Sequence, residues 1–350
     1  MNKTLSIILT FDFAPAVTPY SLFDIGQNKK YYNQQLSDQE YMVAYESTIK
    51  VELKNILALC LTKSTPLAVY FSGTFLEMLQ KNDPAMIKQI KAALASNHLE
   101  LLGGTYHHSL ASIYSSTHFD REIVLHQRLY ATLLGYKAMH FYNTENLYCK
   151  EITDRVYQHG YRGIFAGTID WYLWKDKNRR IFHAPEHPDL NVYLLDTDGG
   201  TALFSLPERT SHFIQFDSSQ LTHYGGVQSI VHKAKTKAEI LPLKEHAQTE
   251  PSLTPYHIKS PVMGSNRGLD TESLHSNSLQ NRATKEYYKL EKAIVQTKNE
   301  SLINDWKRLG HLAYILQMSK DENKHVIPYD FYNSYLNILN DMEIRTRTNK

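Results

Sequence analysis

The chain has 350 residues, of which 42% are hydrophobic and 21% charged, and a net charge of +2. That balance is globular and long enough to bury a large core without covalent staples, and it lacks the charge excess of a nucleic-acid binder. Cys60 and Cys149 are the two cysteines, too few for a disulfide framework or a cysteine-rich zinc site, so a reducing cytosol is the default compartment.

The first apolar run, Leu5–Phe11, reads as a buried strand. It ends in Asp12 with no small-residue cleavage site, which argues against a signal peptide. No stretch approaches the roughly 18–20 apolar residues that span a bilayer. Residues 39–60 carry helical spacing, and LAVYFS (Leu67–Ser72) is a second strand. Helices follow over 74–81 and 84–96, the second opening on Asp83 as N-cap with Pro84 at its first position. Leu99–Gly104 is a strand, 119–135 a helix, Met139–Asn143 a strand, 150–159 a helix stopped by Gly160, and Arg162–Gly167 a strand. This alternation of near-continuous apolar strands with helices predicts a parallel sheet covered by helices, open or closed into a barrel. Beyond about residue 180 the rhythm weakens, with strands expected over 191–196 and 201–216 and a helix over 226–237. Residues 246–280 are rich in Pro, Ser, Thr, Gly and Asn and read as a long loop or linker. Helical spacing returns over 283–297, 300–318 and 329–342.

In parallel βα architectures, functional side chains gather where strands end. Asp12 ends the first strand, in a TFDF context that resembles the Thr-Phe-Asp-Asp metal motif of polysaccharide deacetylases with Phe13 in place of the second aspartate. SGTF (Ser72–Phe75) follows the second strand. GGTYHHSLAS follows the third and holds His107 and His108, which could meet a polar substrate or a metal. A deacetylase would want His-Ser-x-x-His, and the pattern from His108 ends on Ser112. YNTENLY follows the fourth strand. Its Glu145 is either a nucleophile or base in the mouth of a barrel, or a carboxylate favoured in the first turn of the next helix. GTIDWYLWKDK places Trp171 and Trp174 near Asp170, as a sugar-stacking platform or as a hydrophobic anchor. The 24 tyrosines, against 13 Phe and 3 Trp, suit sugar rings or a polar-edged core equally. Neither a Gly-rich phosphate loop nor a Gly-x-Ser-x-Gly elbow occurs.

Taken in order, YFSGTFLEML, LELLGGTYHHSL with its following helix, HFYNTENLY, GYRGIFAG and the C-terminal WKRLGHLAYIL block resemble glycoside hydrolase family 57 of the α-amylase type. The resemblance implies a distorted (β/α)7-type barrel over 1–245, the 246–280 loop, and a C-terminal helical segment over 281–350. It implies retaining hydrolysis or glucanotransfer on α-glucans, with a Glu nucleophile, an Asp general acid and no metal or other cofactor. Carried over by position, Glu145 is the nucleophile and His108 a substrate-facing histidine. Asp12, Asp170, Trp171, Trp174 and His311 are the further substrate-binding candidates. The implied partner is an α-glucan or oligosaccharide, with neither nucleic acid nor membrane.

Several positions depart from the family pattern. His-Gln-Pro becomes Phe13-Ala14-Pro15, the arginine before Asn-Thr-Glu becomes Tyr142, a glutamate after GIFA becomes Gly167, and Ser-Asp-His becomes Leu309-Gly310-His311. The general acid should end an apolar strand in Asp-x-Glu-Thr. The counterpart taken for it, AEILPLKEHA, puts Leu243 at the aspartate and Glu245 two residues on. Three readings follow: a hydrolase or transferase whose proton comes from Glu245, Glu208, Asp196 or Asp198; a pseudo-enzyme that binds glucan or a protein partner; and a metal-dependent deacetylase.

Overall fold

The structure is a computed structural model that describes residues 3–169, 172–173, 178–196, 203, 206, 210–249, 252, 254–264, 271–319 and 327–348. Its strands are β1 (Thr4–Phe11), β2 (Leu67–Phe71), β3 (Leu99–Leu102), β4 (His140–Phe141), β5 (Gly163–Gly167), β6 (Ile181–Ala184), β7 (His187–Leu195), β8 (Ser211–Asp217) and β9 (Glu239–Ile240). One sheet runs β3-β2-β1-β8, all parallel, with β9 beside the start of β1 at Thr4 and Leu5. The other runs β4-β5-β7 in parallel, with β6 antiparallel on β7.

The two sheets meet at both seams. Between β3 and β4, Gly103 N–H donates to His140 O at 2.9 Å and Tyr142 N–H to Gly103 O at 2.7 Å. Between β7 and β8, Asp196 N–H donates to Phe213 O at 2.9 Å. Parallel strands therefore follow one another round a ring in the order β1, β2, β3, β4, β5, β7, β8. The strand period of two sorts their side chains. Ile8, Tyr70, Leu102, Tyr142, Phe165, Tyr193 and Phe213 pack into one interior cluster, whereas Leu5, Ile7, Leu9 and Phe11 belong to the larger core beneath the helices. The interior is a packed core, as expected of a barrel of this size. Most large tyrosines, Tyr70, Tyr130, Tyr148, Tyr161 and Tyr193 among them, are buried. The tyrosine excess is thus mainly core material.

The expected helix over 39–60 is two, α1 (Gln34–Ala44) and α2 (Lys50–Thr62), joined by a wider turn at Tyr45–Ile49. α3 (Gly73–Asn82) starts at Ser72, whose hydroxyl accepts from Phe75 N–H at 3.2 Å, and α4 (Pro84–Leu94) at Asp83, which accepts from Met86 N–H at 2.9 Å. After β3 come a short α5 (Ala111–Tyr114) and α6 (Ser116–Leu129). α7 (Lys150–Gln158) follows β4, α8 (Ser218–His223) and α9 (Gly226–Lys235) follow β8, and α10 (Leu243–Thr249) follows β9.

Of the loop expected over 246–280, residues 246–249 are instead the end of α10, and 254–264 are pinned at single anchors between exposed residues. Tyr256 and Met263 are fully buried, and Val262 exchanges backbone bonds of 2.9 and 3.0 Å with Tyr148. The C-terminal helices are α11 (Ser278–Lys289), α12 (Glu291–Gln296), α13 (Glu300–Leu309), α14 (Leu312–Leu316) and α15 (Pro328–Thr348). They lean on the barrel mouth: Leu312 N–H donates to His108 O at 3.1 Å, and Arg308 pairs with Glu77 of α3 at 2.8 Å. Among the described residues, no helix is long and apolar enough to cross a membrane.

Candidate active site

The C-terminal ends of β1, β2, β3, β4 and β8 bring a set of polar side chains to one face. Asp12, directly after β1, meets His311 Nε2 at 3.1 Å through one carboxylate oxygen and 3.2 Å through the other. Ala313 N–H points at His311 Nδ1 at 3.2 Å, so the ring proton sits on Nε2 and faces Asp12. Burial pushes the Asp12 carboxyl up, but His311 and His108 beside it, with hydrogen bonds from His311 and Ser72, hold it well below the usual carboxylate range. Asp12 and His311 are thus brought together from opposite ends of the chain.

His107 and His108 diverge. His107 turns into the helix layer, where Glu122 of α6 accepts its backbone N–H at 2.8 Å and meets its Nδ1 at 2.8 Å. His108, at φ 48°, turns the other way. Its ring lies parallel to Tyr142 at 6.2 Å and stands 5.9 Å from His311.

Glu145 lies in a tight turn, Thr144–Asn146, ahead of α7, which starts only at Lys150. Asn143 caps that single 3-10 turn and Glu145 lies in it, but the turn is separate from α7, whose first turn does not include Glu145. The Glu145 backbone is left-handed, φ 52° and ψ 23°, and Asn146 follows at φ 49°. Such residues cost of order ~1 kcal/mol each and persist where the surroundings over-determine them. Here Asn143 Oδ1 accepts from Thr144 N–H at 3.1 Å, and Asn146 Nδ2 donates to Gln215 Oε1 at 2.7 Å and Gly264 O at 2.9 Å. Gly264 N–H in turn donates to Glu145 O at 3.0 Å. The crossing segment explains Gly167 too. A Cβ there would stand 2.3 Å from Met263 O, so the position expected to hold a family glutamate lies under backbone.

The residue that the sequence reading missed is Asp217. It ends β8, in register with Thr10, and so sits beside the end of β1 that carries Asp12. Gln215, one inward position earlier, donates to the Tyr142 hydroxyl at 3.2 Å as well as accepting from Asn146. Burial raises the Tyr142 hydroxyl far above its ordinary value, and the Glu145 carboxylate raises it further. Asp217 Oδ1 accepts from Ser219 and Gln220 N–H, both at 2.9 Å, which fixes the side chain at the start of α8. The available signal was an apolar strand ending in Asp217. The expected strand stopped one residue short, at Phe216, and the Glu-Thr sought after it is Ser219-Gln220 here.

Glu245 is elsewhere. It lies on α10, which follows β9 and Leu241, whose N–H donates to Leu5 O at 2.9 Å near the start of β1. At about 3.3 Å per residue, Leu5 and Asp12 stand some ~23 Å apart along the barrel. Leu243 is buried in the interior cluster at that same far end. Asp196 forms a buried cluster with His212 at 3.1 Å and Arg180 at 3.6 Å. Asp170, Trp171, Trp174, Asp198 and Glu208 lie outside the described residues. Phe13, in the place of the second deacetylase aspartate, packs edge-on against Tyr41 at 5.4 Å. Among the described residues, no three His, Cys, Asp or Glu side chains form a group that could hold a metal ion.

The family model described as glycosyl hydrolase family 57 matches residues 21–252, more than half of the chain. The chain belongs to glycosyl hydrolase family 57. A Methanocaldococcus jannaschii protein named "Putative alpha-amylase" is 29% identical over 117 residues, 33% of this chain and 25% of that protein. Solved structures share the fold at low identity. A family 57 branching enzyme from Thermococcus kodakaraensis superposes with a TM-score of 0.68 at 10% identity over 99% of this chain and 89% of its own. A 4-alpha-glucanotransferase from Thermococcus litoralis gives 0.66 at 12% identity over 90% of this chain and 57% of its own. An alpha-amylase from Thermotoga maritima gives 0.65 at 10% identity over 99% and 93%. The chain therefore spans a quarter of the curated relative and somewhat over half of the glucanotransferase.

Proposed function

We propose that this family 57 chain is a retaining α-glucan hydrolase or glucanotransferase, with Glu145 as nucleophile and Asp217 as general acid and base. The observation that carries the reading is that Asp217 ends β8 beside the Asp12 end of β1, and that Gln215, two residues before it, bridges the Tyr142 hydroxyl and Asn146, the residue after Glu145. Two carboxyls on one mouth are what retaining chemistry needs, about 5–5.5 Å apart. In the first step the Glu145 carboxylate attacks the anomeric carbon while Asp217 gives its proton to the departing glycosidic oxygen. In the second, the Asp217 carboxylate takes a proton from water, or from a glucan hydroxyl, as that oxygen displaces Glu145. Hydrolysis and transfer differ only in that acceptor.

The remaining side chains bind. Asp12, held ionised, accepts hydrogen bonds from sugar hydroxyls, and His311 fixes its orientation. His108 borders the same space, backed by the buried Tyr142 ring. The strained Glu145 turn serves preorganisation: the nucleophile is locked before substrate arrives.

The test is covalent. Incubation with 5-fluoro-α-glucosyl fluoride, then proteolysis and peptide mass mapping, is expected to place a fluoroglucosyl group on the peptide containing Glu145. A protein that stays unlabelled, or a label on another carboxylate, would overturn the assignment.

A further inference from the structure

Tyr114 stands apart from the buried tyrosines: it is 40% exposed. It ends α5, the four-residue helix that directly follows the His108 loop. Ser109, between His108 and that helix, forms an isolated bridge with His311, so the loop is anchored at the mouth. At about 1.5 Å per helical residue, Tyr114 lies only one turn, ~5 Å, beyond the start of α5.

Its ring is held on two sides. One face stacks on Tyr288 of α11 at 4.9 Å and 24°, and its edge meets His275 at 5.6 Å and 90°. Its hydroxyl hydrogen-bonds to His275 Nε2. Behind it, Tyr288 packs perpendicular to Tyr287 at 4.8 Å, and Tyr287 stacks on the fully buried Trp306 at 4.8 Å and 10°. A ladder of rings thus runs from the core to the surface and ends on Tyr114. The polar end and one face are used, and with the residue 40% exposed we take the open part of the ring to be its other, apolar face. A ring so held loses little freedom when something stacks on it. The free face suits a flat partner with an apolar C–H surface and hydroxyl edges, which is the shape of a pyranose ring. It offers no charge to an ionic ligand.

We propose that Tyr114 is an outer stacking site for an α-glucan chain whose reacting end occupies the mouth, so that the protein favours long chains over short ones. This rests on the α-glucan reading above. A chain that extends from the mouth along α5 would meet Tyr114, and one confined to the mouth would not.

The experiment measures binding by calorimetry in a Glu145→Gln background, with maltotriose and with maltoheptaose, for Tyr114, Tyr114→Ala and Tyr114→Trp. Loss of the ring is expected to weaken maltoheptaose about five- to tenfold, the scale of one lost aromatic contact. Maltotriose affinity should stay unchanged, and tryptophan should restore the longer ligand. Equal maltoheptaose affinity for Tyr114 and Tyr114→Ala would overturn the stacking site and leave the α-glucan reading standing. Failure of every protein, Tyr114 included, to bind either saccharide would overturn both.

Discussion

Glu122 gives a sharp test of how the His107–His108 loop is held. It is fully buried, and both of its oxygens are engaged by His107, at 2.8 Å each. Glu122→Ala leaves a buried N–H and an imidazole without their acceptor. Removing one partner of a buried pair costs about 3–5 kcal/mol. The titration gives a second route to the magnitude. Burial pushes the Glu122 carboxyl up, but the His107 charge and hydrogen bonds pull it down from 4.5 to about 2. At about 1.4 kcal/mol per pH unit of displacement, that corresponds to about 3 kcal/mol. The folded value lies below the unfolded one, so the stabilisation is complete above pH 4.5 and is lost as pH falls toward about 2. Urea unfolding of wild type, Glu122→Ala and Glu122→Gln at about pH 7 and about pH 3 would measure both effects. The alanine variant should lose about 3–5 kcal/mol at neutral pH, and both variants should lose less stability than wild type on acidification. A neutral-pH loss below about 1 kcal/mol, or an unchanged pH slope, would refute the reasoning.

Gly167→Ala would drive a Cβ to 2.3 Å from Met263 O and 2.7 Å from Gly264 Cα, both backbone atoms that cannot swing aside. The expected cost is about 1–3 kcal/mol by thermal unfolding, with a drop in activity because Gly264 holds Glu145; a melt like that of wild type would show that the crossing segment yields. Burial lowers His118, His126 and His246 each to about 4. Their folded values lie below the unfolded one, so the protein should lose stability as pH falls from about 6.5 to about 4. His126→Gln should flatten that slope by removing one of the three protonations, and an unchanged slope would contradict the assignment.

The alternation of apolar strands and helices reads directly from the residues because strand and helix periods differ. It predicted β1, β2, β3 and β5 closely. Ring closure is not written in any one segment: it rests on a few backbone bonds between β3 and β4 and between β7 and β8. The position of Glu145 followed from NTEN, but its left-handed backbone depends on Asn146, Gln215 and Gly264, residues far apart in sequence. Asp217 was hidden because Ser219 and Gln220, two and three residues after it, differ from the family pattern. In the structure Ser219 and Gln220 hold that aspartate through backbone N–H groups and through their own side chains, the Ser219 hydroxyl donating to Asp217 Oδ1 at 2.5 Å and Gln220 Oε1 accepting from Asp217 N–H at 2.9 Å. Residues 254–264 lack periodicity because they are pinned by backbone pairing and single buried anchors such as Tyr256 and Met263. The pairing of Asp12 with His311 joins residues 299 apart, beyond the reach of any local pattern.

The most direct test of the account asks whether Asp217 is the proton donor. Asp217→Asn should be assayed on maltooligosaccharides and on α-maltosyl fluoride, whose leaving group departs without a proton. The account predicts a loss of about 10²–10⁴-fold on maltooligosaccharides, against a far smaller loss on the fluoride. It predicts that Glu145→Gln, lacking the nucleophile, fails on both. An Asp217→Asn enzyme that turns over maltooligosaccharides at the wild-type rate, or a wild-type protein inert toward both substrates, would contradict it.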